Sequence, residues 1–180
     1  MSRNPRTGRK SWISIGLEVV LVLFVAVLLV RHFLPAKAAP PSSANAVQFT
    51  LTALNGSPLP PSDYQGKAIL LNFWAPWCPP CKMEIPWLQK LQNQNPGKLV
   101  VIGVVADRTQ YARAAAYMQQ RGITYPLVRY SPALQSAFGS ISELPTSYYI
   151  SPSLHVVHHV TGLVPQYTMR RYVADAIHQK

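Results

Sequence analysis

The first fifty residues and the rest of the chain carry different hydrophobic patterns. Trp12 to Val30 is an apolar run of 19 residues whose one charge is Glu18. At 1.5 Å per helical residue, that length matches a hydrocarbon core about 30 Å thick. Residues 35 to 46 are rich in Pro, Ala and Ser, the composition of an extended, weakly structured linker. Beyond them, short apolar runs alternate with amphipathic ones.

Val47 to Leu51 alternates like a strand, and Asn55-Gly56 is a turn signal. Leu59 to Lys67 reads as loop. Ala68 to Trp74 is an apolar run interrupted by Asn72, the pattern of a buried strand, and Met83 to Leu91 reads as helix. That helix should run to about Asn93, stopped by Asn95-Pro96-Gly97. Leu99 to Val105 has the β-branched character of a central parallel strand. Strand, helix and strand in this order predict a right-handed crossover within one sheet. Arg108 to Arg121 has Tyr111, Ala114, Ala115 and Met118 at helical spacing, and Gly122 ends it. Tyr125 to Val128 predicts a short strand, Pro132 to Phe138 a brief helix, and Glu143 to Ile150 a loop running into a strand. Ser151-Pro152-Ser153 turns the chain into a hairpin partner at His155 to Val160, closed by Gly162. Gln166 to Ile177 reads as a final helix with Tyr172, Val173, Ala176 and Ile177 facing inward. There is no internal repeat.

At 180 residues and 48% hydrophobic composition, the chain suits one compact domain plus a short extra segment. The net charge of +11 is unevenly placed. Arg3, Arg6, Arg9 and Lys10 precede any acid, and from Arg31 onward 13 Lys/Arg face 5 Asp/Glu. No Arg/Lys cluster interleaved with aromatics marks a nucleic-acid surface. A basic body suits anionic lipid head groups or acidic protein partners better. The basic residues before the apolar run predict a cytoplasmic N-terminus and a body on the far side of the membrane. A cleaved signal peptide is the alternative, because Ala36-Lys37-Ala38 resembles a small-x-small site. The length of the run and Pro40-Pro41 favour an uncleaved anchor. Glu18 lies about two turns into the span, near enough to the interface to snorkel. The expected organisation is a cytoplasmic basic tail (1–11), a transmembrane signal-anchor helix (12–30) and a linker (31–46). The folded domain (47–180) would lie on the periplasmic or equivalent extracytoplasmic side of the cytoplasmic membrane.

The only two cysteines, Cys78 and Cys81, sit two residues apart at the predicted strand-to-helix junction. Such a pair points to redox chemistry. As a static disulfide it would close too short a loop to stabilise much, and a zinc site would need two further ligands. His155, His158 and His159 invite a metal reading. On a regular strand only His155 and His159 share a face, too far apart for easy chelation. No metal is expected, and solvent-exposed strand histidines are the default.

The run Asn72-Phe73-Trp74-Ala75-Pro76-Trp77-Cys78-Pro79-Pro80-Cys81, Glu84 with Pro86, and Leu144-Pro145-Thr146 before a strand resemble the thioredoxin fold. The resemblance is to its membrane-anchored, extracytoplasmic TlpA/ResA/DsbE-like branch, over roughly residues 47 to 178. The Gly66-Lys67 entry to the buried strand and the extra helix before Pro145 also fit. It implies an α/β protein: a thioredoxin-like three-layer α/β/α sandwich with a mixed central sheet, here behind one transmembrane helix.

On that footing Cys78, at the N-terminus of the active-site helix, is the attacking thiolate, favoured by the helix dipole and unpaired N–H groups. Cys81, one turn further in, is the resolving sulfur. Pro79 and Pro80 fit and stiffen the first turn. Glu84 falls on the face of Cys81, either as a proton handler or as a solvated helix charge. Thioredoxin carries a buried aspartate where this chain has Asn72, which cannot accept a proton, so Glu84 is the better candidate base. The resemblance implies that Pro145 is a cis-proline and that the Leu144 backbone binds substrate. Trp77 would shape the contact surface, with Trp74 and Phe73 as scaffold, and Pro86 should kink the helix.

The function implied is a membrane-tethered thiol–disulfide oxidoreductase, reductase-like, exchanging disulfides with client proteins without a cofactor. Apocytochrome c is one client the resemblance suggests, and a membrane electron-transfer partner would supply reducing equivalents. A disulfide oxidase or isomerase is the alternative. A copper-delivery protein is a further one, disfavoured by the two-residue cysteine spacing.

Overall fold

The computed structural model describes Gly16, residues 18–26 and residues 51–179. It divides into two units, Met1–Ala39 and Pro40–Lys180. In the first, the described residues are helical and exposed. Among the described residues, no helix is long and apolar enough to cross a membrane. Most of the expected span at 12–30, the whole linker at 31–46 and four residues of the strand expected at 47–51 lie outside the described residues.

The second unit is built on a five-stranded sheet. Its strands are β3 (Ala68–Trp74), β4 (Leu99–Val105), β5 (Leu127–Arg129), β6 (Thr146–Ile150) and β7 (Val156–Thr161), in the order β5-β4-β3-β6-β7. Two-residue strands β1 (Leu51–Thr52) and β2 (Pro58–Leu59) pair separately. The helices are α1 (Pro79–Gln94), α2 (Tyr111–Gln120), α3 (Pro132–Phe138) and α4 (Gln166–His178). β3 pairs parallel with β4 and antiparallel with β6, so the sheet is mixed, as expected.

β3 is buried at every residue, which is why its sequence reads as a nearly continuous apolar run. Alternate residues serve two cores. Ala68, Leu70 and Trp74 pack with Ile85, Leu88 and Leu91 of α1, Ala114 and Met118 of α2, and Met169, Val173 and Ala176 of α4. Ile69, Leu71 and Phe73 pack on the other face with Leu134 and Phe138 of α3. Phe73 is ringed there by Tyr130, Phe138 and Tyr148 in edge-on contacts with centroids 5.6 to 6.0 Å away. Three layers result, with α1, α2 and α4 on one side and α3 on the other.

The helix expected from Arg108 starts as a 3-10 turn, Arg108–Gln110, and becomes α-helical at Tyr111. Gly122 (φ 62°) ends α2, and the Ile123 N–H bonds back to the Met118 carbonyl at 3.0 Å. The strand expected at 125–128 lies two residues later at its start, because Tyr125 is a buried loop residue.

The hairpin of β6 and β7 departs from simple alternation. Ile150 pairs with Val156 but Tyr149 pairs with His158, so Val157 is an extra residue in a bulge. His158 therefore turns toward α4. Its Nε2 lies 2.8 Å from Asp175 Oδ2, and its ring stacks on Tyr172 at 4.0 Å. His159 stacks on Tyr148 at 4.3 Å. Both are half-buried, which corrects the expectation of solvent-exposed strand histidines; of the three, only His155 is exposed.

Candidate active site

The site grows out of the C-terminal end of β3. After Trp74 the buried residues Ala75 and Pro76 lead to Trp77 and Cys78, and α1 begins at Pro79. Cys78 is the N-cap of that helix. Its backbone is extended (φ −92°, ψ 105°), and its Sγ accepts the Cys81 N–H at 3.3 Å. One of the orphan donors of the first turn is thus aimed at sulfur, where it favours the charged thiolate once the bond is opened. Pro79 and Pro80 are exposed and occupy the first turn, where no intrahelical donor is lost.

Cys78 and Cys81 are joined in a disulfide, with Cα atoms 5.4 Å apart. Cys81 is fully buried, and Cys78 keeps 3% of its surface exposed. Access to the pair therefore runs through Cys78. The helix continues past Pro86 to Gln94.

Leu144–Pro145 is a cis peptide bond immediately before β6. The β3–β6 register pairs Phe73 with Thr146, which sets Pro145 at the end of the sheet from which the cysteine turn emerges. Pro145 is buried, and half-buried Leu144 packs against the core cluster that includes Cys78 and Cys81. The Pro145 carbonyl accepts the Gly162 N–H at 2.7 Å.

Trp77 is 59% exposed, yet its indole is fixed. Its Nε1 donates to Asp107 Oδ2 at 2.9 Å, while Asp107 Oδ1 accepts the Thr109 N–H at 2.9 Å and its hydroxyl at 2.7 Å. These three donors, the Thr109 hydroxyl foremost, hold the Asp107 carboxyl below the usual carboxylate range. Sequence reasoning missed Asp107. It lies just past the end of β4, beside the end of the parallel neighbour β3, and no local sequence pattern marks it.

Glu84 is 1% exposed, so it is not a solvated helix charge. It lies one turn after Cys81, with Cβ atoms of such pairs roughly 5–6 Å apart. Its Oε1 accepts a 2.5 Å hydrogen bond from Asn72 Nδ2, which also donates to Ser147 Oγ at 3.0 Å. Burial pushes the Glu84 carboxyl up to about 8, against the opposing effect of the Asn72 hydrogen bond. Two tyrosines share this region: Tyr125 and Tyr149 are both pushed up by burial and then by the Glu84 charge. Their hydroxyls, with Trp74 Nε1 and Asn72 Oδ1, are buried and bond to no other protein group. Asn72 is flanked in the sheet by Gly103 and Ser147, both small, which leaves room for the carboxyl. A buried group that titrates near 8, one turn from the inner cysteine, is matched to moving a thiol proton.

Among the described residues, no group of three or more His, Cys, Asp or Glu side chains is placed to hold a metal ion.

The family model described as "AhpC/TSA family" matches residues 43–159. The chain is similar to the thiol-disulfide oxidoreductase ResA of Bacillus subtilis, 27% identical over 165 residues that cover 92% of each chain. It is 32% identical over 119 residues to ResA of Bacillus thuringiensis, covering 65% of this chain and 68% of that one. Among solved structures, a thioredoxin-family thiol:disulfide interchange protein from Chlorobium tepidum superposes with a TM-score of 0.63 at 32% identity, covering 79% of this chain and 99% of that one.

Proposed function

Because this chain belongs to the AhpC/TSA family of thioredoxin-like proteins, and is a thiol–disulfide oxidoreductase of the ResA/DsbE type, we propose that it works as a membrane-tethered reductant of client proteins. The observation that carries this reading is the Cys78–Cys81 disulfide capping α1, with buried Glu84 one turn behind it.

In the reducing direction the Cys78 thiolate attacks one sulfur of a client disulfide. The client's S–S bond breaks, a Cys78–client mixed disulfide forms, and the other client sulfur leaves as a thiolate that takes up a proton. Cys81 then loses its proton to the Glu84 carboxylate and attacks Cys78 Sγ. The second client sulfur leaves, the 78–81 disulfide closes, and two electrons have passed to the client. Glu84 is left protonated, the form that its pKa of about 8 favours in the oxidised protein at neutral pH. A reduced dithiol on a membrane partner restores Cys78 and Cys81 by the reverse exchange.

The client groove is assigned to Trp77, Pro79, Pro80, Leu144 and Pro145, with the Leu144 backbone pairing to an extended client segment. The domain is assigned to the extracytoplasmic side of the cytoplasmic membrane, held there by residues 12–30 and the linker 31–46. Support for this comes from the apolar run and from the four basic residues that precede it. Apocytochrome c, or another oxidised protein, is the client that the family likeness suggests.

Two measurements test the reading. Equilibration of the 78–81 disulfide with glutathione should give a strongly reducing potential; a value in the range of strong oxidants assigns the protein to disulfide formation instead. In cells, Cys81→Ala should leave clients covalently held on Cys78 on the extracytoplasmic side. Recovery of copper and no protein from that variant would make it a metal carrier.

A further inference from the structure

Beside the cysteine turn, on the side away from Pro145, lies a cleft of about 340 Å³ that the reaction described above does not use. Pro76 and Trp77, the residues before Cys78, form one wall, and Lys82, directly after Cys81, forms another. Gln110, Arg113 and Tyr117 come from the α2 side. The cleft is therefore walled by residues that flank the two cysteines in the chain.

Its charge is of one sign. Lys82 and Arg113 line it and no carboxylate does. Asp107, the acid bonded to the Trp77 wall, is committed to that indole and to Thr109. Both cations are held rather than free-swinging: Lys82 Nζ lies 5.5 Å from the centroid of the Tyr117 ring, and Arg113 donates to Gln110 Oε1 at 3.4 Å. Arg121, outside the lining, lies 5.2 Å from the centroid of the same ring. The sequence around α2 carries the same bias, since Arg108, Arg113, Arg121 and Arg129 occur between Asp107 and Glu143 without an intervening acid. A one-sign cleft with aromatic walls attracts and orients an oppositely charged side chain.

We propose that this cleft is a specificity subsite that receives an acidic side chain of the client, close in sequence to the client cysteine that attacks or is attacked by Cys78. The inference rests on the oxidoreductase reading for its purpose. Clients whose cysteines are flanked by Asp or Glu are then handled faster than those flanked by Lys or Arg.

The subsite is tested by binding, which does not depend on turnover. Short cysteine-free peptides rich in Glu or in Lys are titrated against the full-length oxidised protein and its variants at low and at physiological ionic strength. The Glu peptide should bind the wild-type chain about tenfold better than the Lys peptide, and added salt should narrow the gap. Arg113→Glu should weaken the Glu peptide about five- to tenfold, and Lys82→Glu combined with it should reverse the preference. That gain of Lys-peptide binding also shows that the variant folds. Lys90→Glu, the same charge change on an exposed residue of α1 outside the cleft, should alter binding less than about twofold. Equal binding of the two peptides by wild type, or equal loss in Lys90→Glu and Arg113→Glu, would overturn the subsite. Exchange between the reduced protein and disulfide-bearing versions of the peptides, in which the Cys78 thiolate opens the peptide disulfide, separates the two readings. A charge preference in binding without any exchange defeats the oxidoreductase role and leaves the subsite standing. Exchange at equal rates for both peptides, with equal binding, defeats the subsite alone.

Discussion

The side-chain amide of Asn72, in the middle of β3, donates to the carboxyl of Glu84 on α1 across 2.5 Å of protein interior. This bond joins the central strand to the active-site helix one turn behind Cys81. It places a titratable group where water does not compensate its charge, so protonation of Glu84 is coupled to the fold.

Stability should depend on pH through this group. The folded, oxidised protein keeps the Glu84 proton up to about pH 8, whereas the unfolded chain releases it near 4.5. Between those values the folded state binds more protons, so Glu84 makes stability fall as pH rises through this window and contributes no slope below or above it. Glu84→Gln removes the slope. Each tenfold change in proton affinity between the folded and unfolded chain is worth roughly 1.4 kcal/mol, so the variant should stabilise the oxidised protein at pH 8 by several kcal/mol and leave pH 4 nearly unchanged. Urea unfolding at the two pH values checks this; equal effects at both would place Glu84 in contact with water.

Asn72→Ala acts on the same bond from the other side. The amide favours ionised Glu84, so its loss should carry the carboxyl above 8. Ser147 also loses its amide donor, and the combined cost to stability is about 1–3 kcal/mol. Carbon-13 NMR of labelled Glu carboxyls should report a titration moved to higher pH, and the pH dependence of client reduction should move with it. A titration unmoved from wild type would mean that the bond does not set the Glu84 proton affinity.

Gly103 faces this polar region from β4. A Cβ there would lie 2.6 Å from Leu127 Cδ2 and 3.2 Å from both Trp74 Nε1 and Tyr125 Cε2. Gly103→Ala must displace a leucine methyl and press on two buried rings, which overpacks the core and should cost about 1–3 kcal/mol. Thermal unfolding checks the loss. The Glu84 titration is expected to shift in the same variant, because Tyr125 is one of the groups its charge reaches.

The strands that build the sheet interior were legible in the sequence. Ala68–Trp74 and Leu99–Val105 are covered on both faces, and continuous burial leaves a continuous apolar run. The cysteine spacing was legible as a local pattern, and the Leu144-Pro145 step through the family resemblance. Glu84 was legible as a candidate but not its burial, which depends on Asn72, Gly103 and Ser147 meeting from three strands. The bulge at Val157 left no mark in composition, so the pairing of His158 with Asp175, 17 residues away, could not be read. Asp107 escaped because an acid after a strand looks like any loop residue until its neighbour across the sheet is known.

That acid supports the last prediction. Asp107 holds the exposed Trp77 indole through Oδ2 and caps the turn leading into α2 through Oδ1. Because its carboxyl titrates below the usual range, it stays charged throughout neutral pH and both bonds persist. Asp107→Ala removes them together. The lost cap should cost about 1 kcal/mol. Release of Trp77 means that a client must immobilise the ring itself, at about 0.5–1.5 kcal/mol, so kcat/KM toward an uncharged peptide disulfide should fall about two- to tenfold. Asp107→Asn leaves one acceptor oxygen: turned toward Thr109 it keeps the cap, while its amide NH2 meets the Trp77 N–H donor to donor, so it should recover the stability but not the hold on the indole. Acrylamide quenching of tryptophan fluorescence should rise in both variants, while only Asp107→Ala loses the cap's contribution to stability. If the alanine variant loses stability while quenching and kcat/KM are unchanged, Asp107 serves the α2 turn alone and Trp77 needs no support to meet its clients.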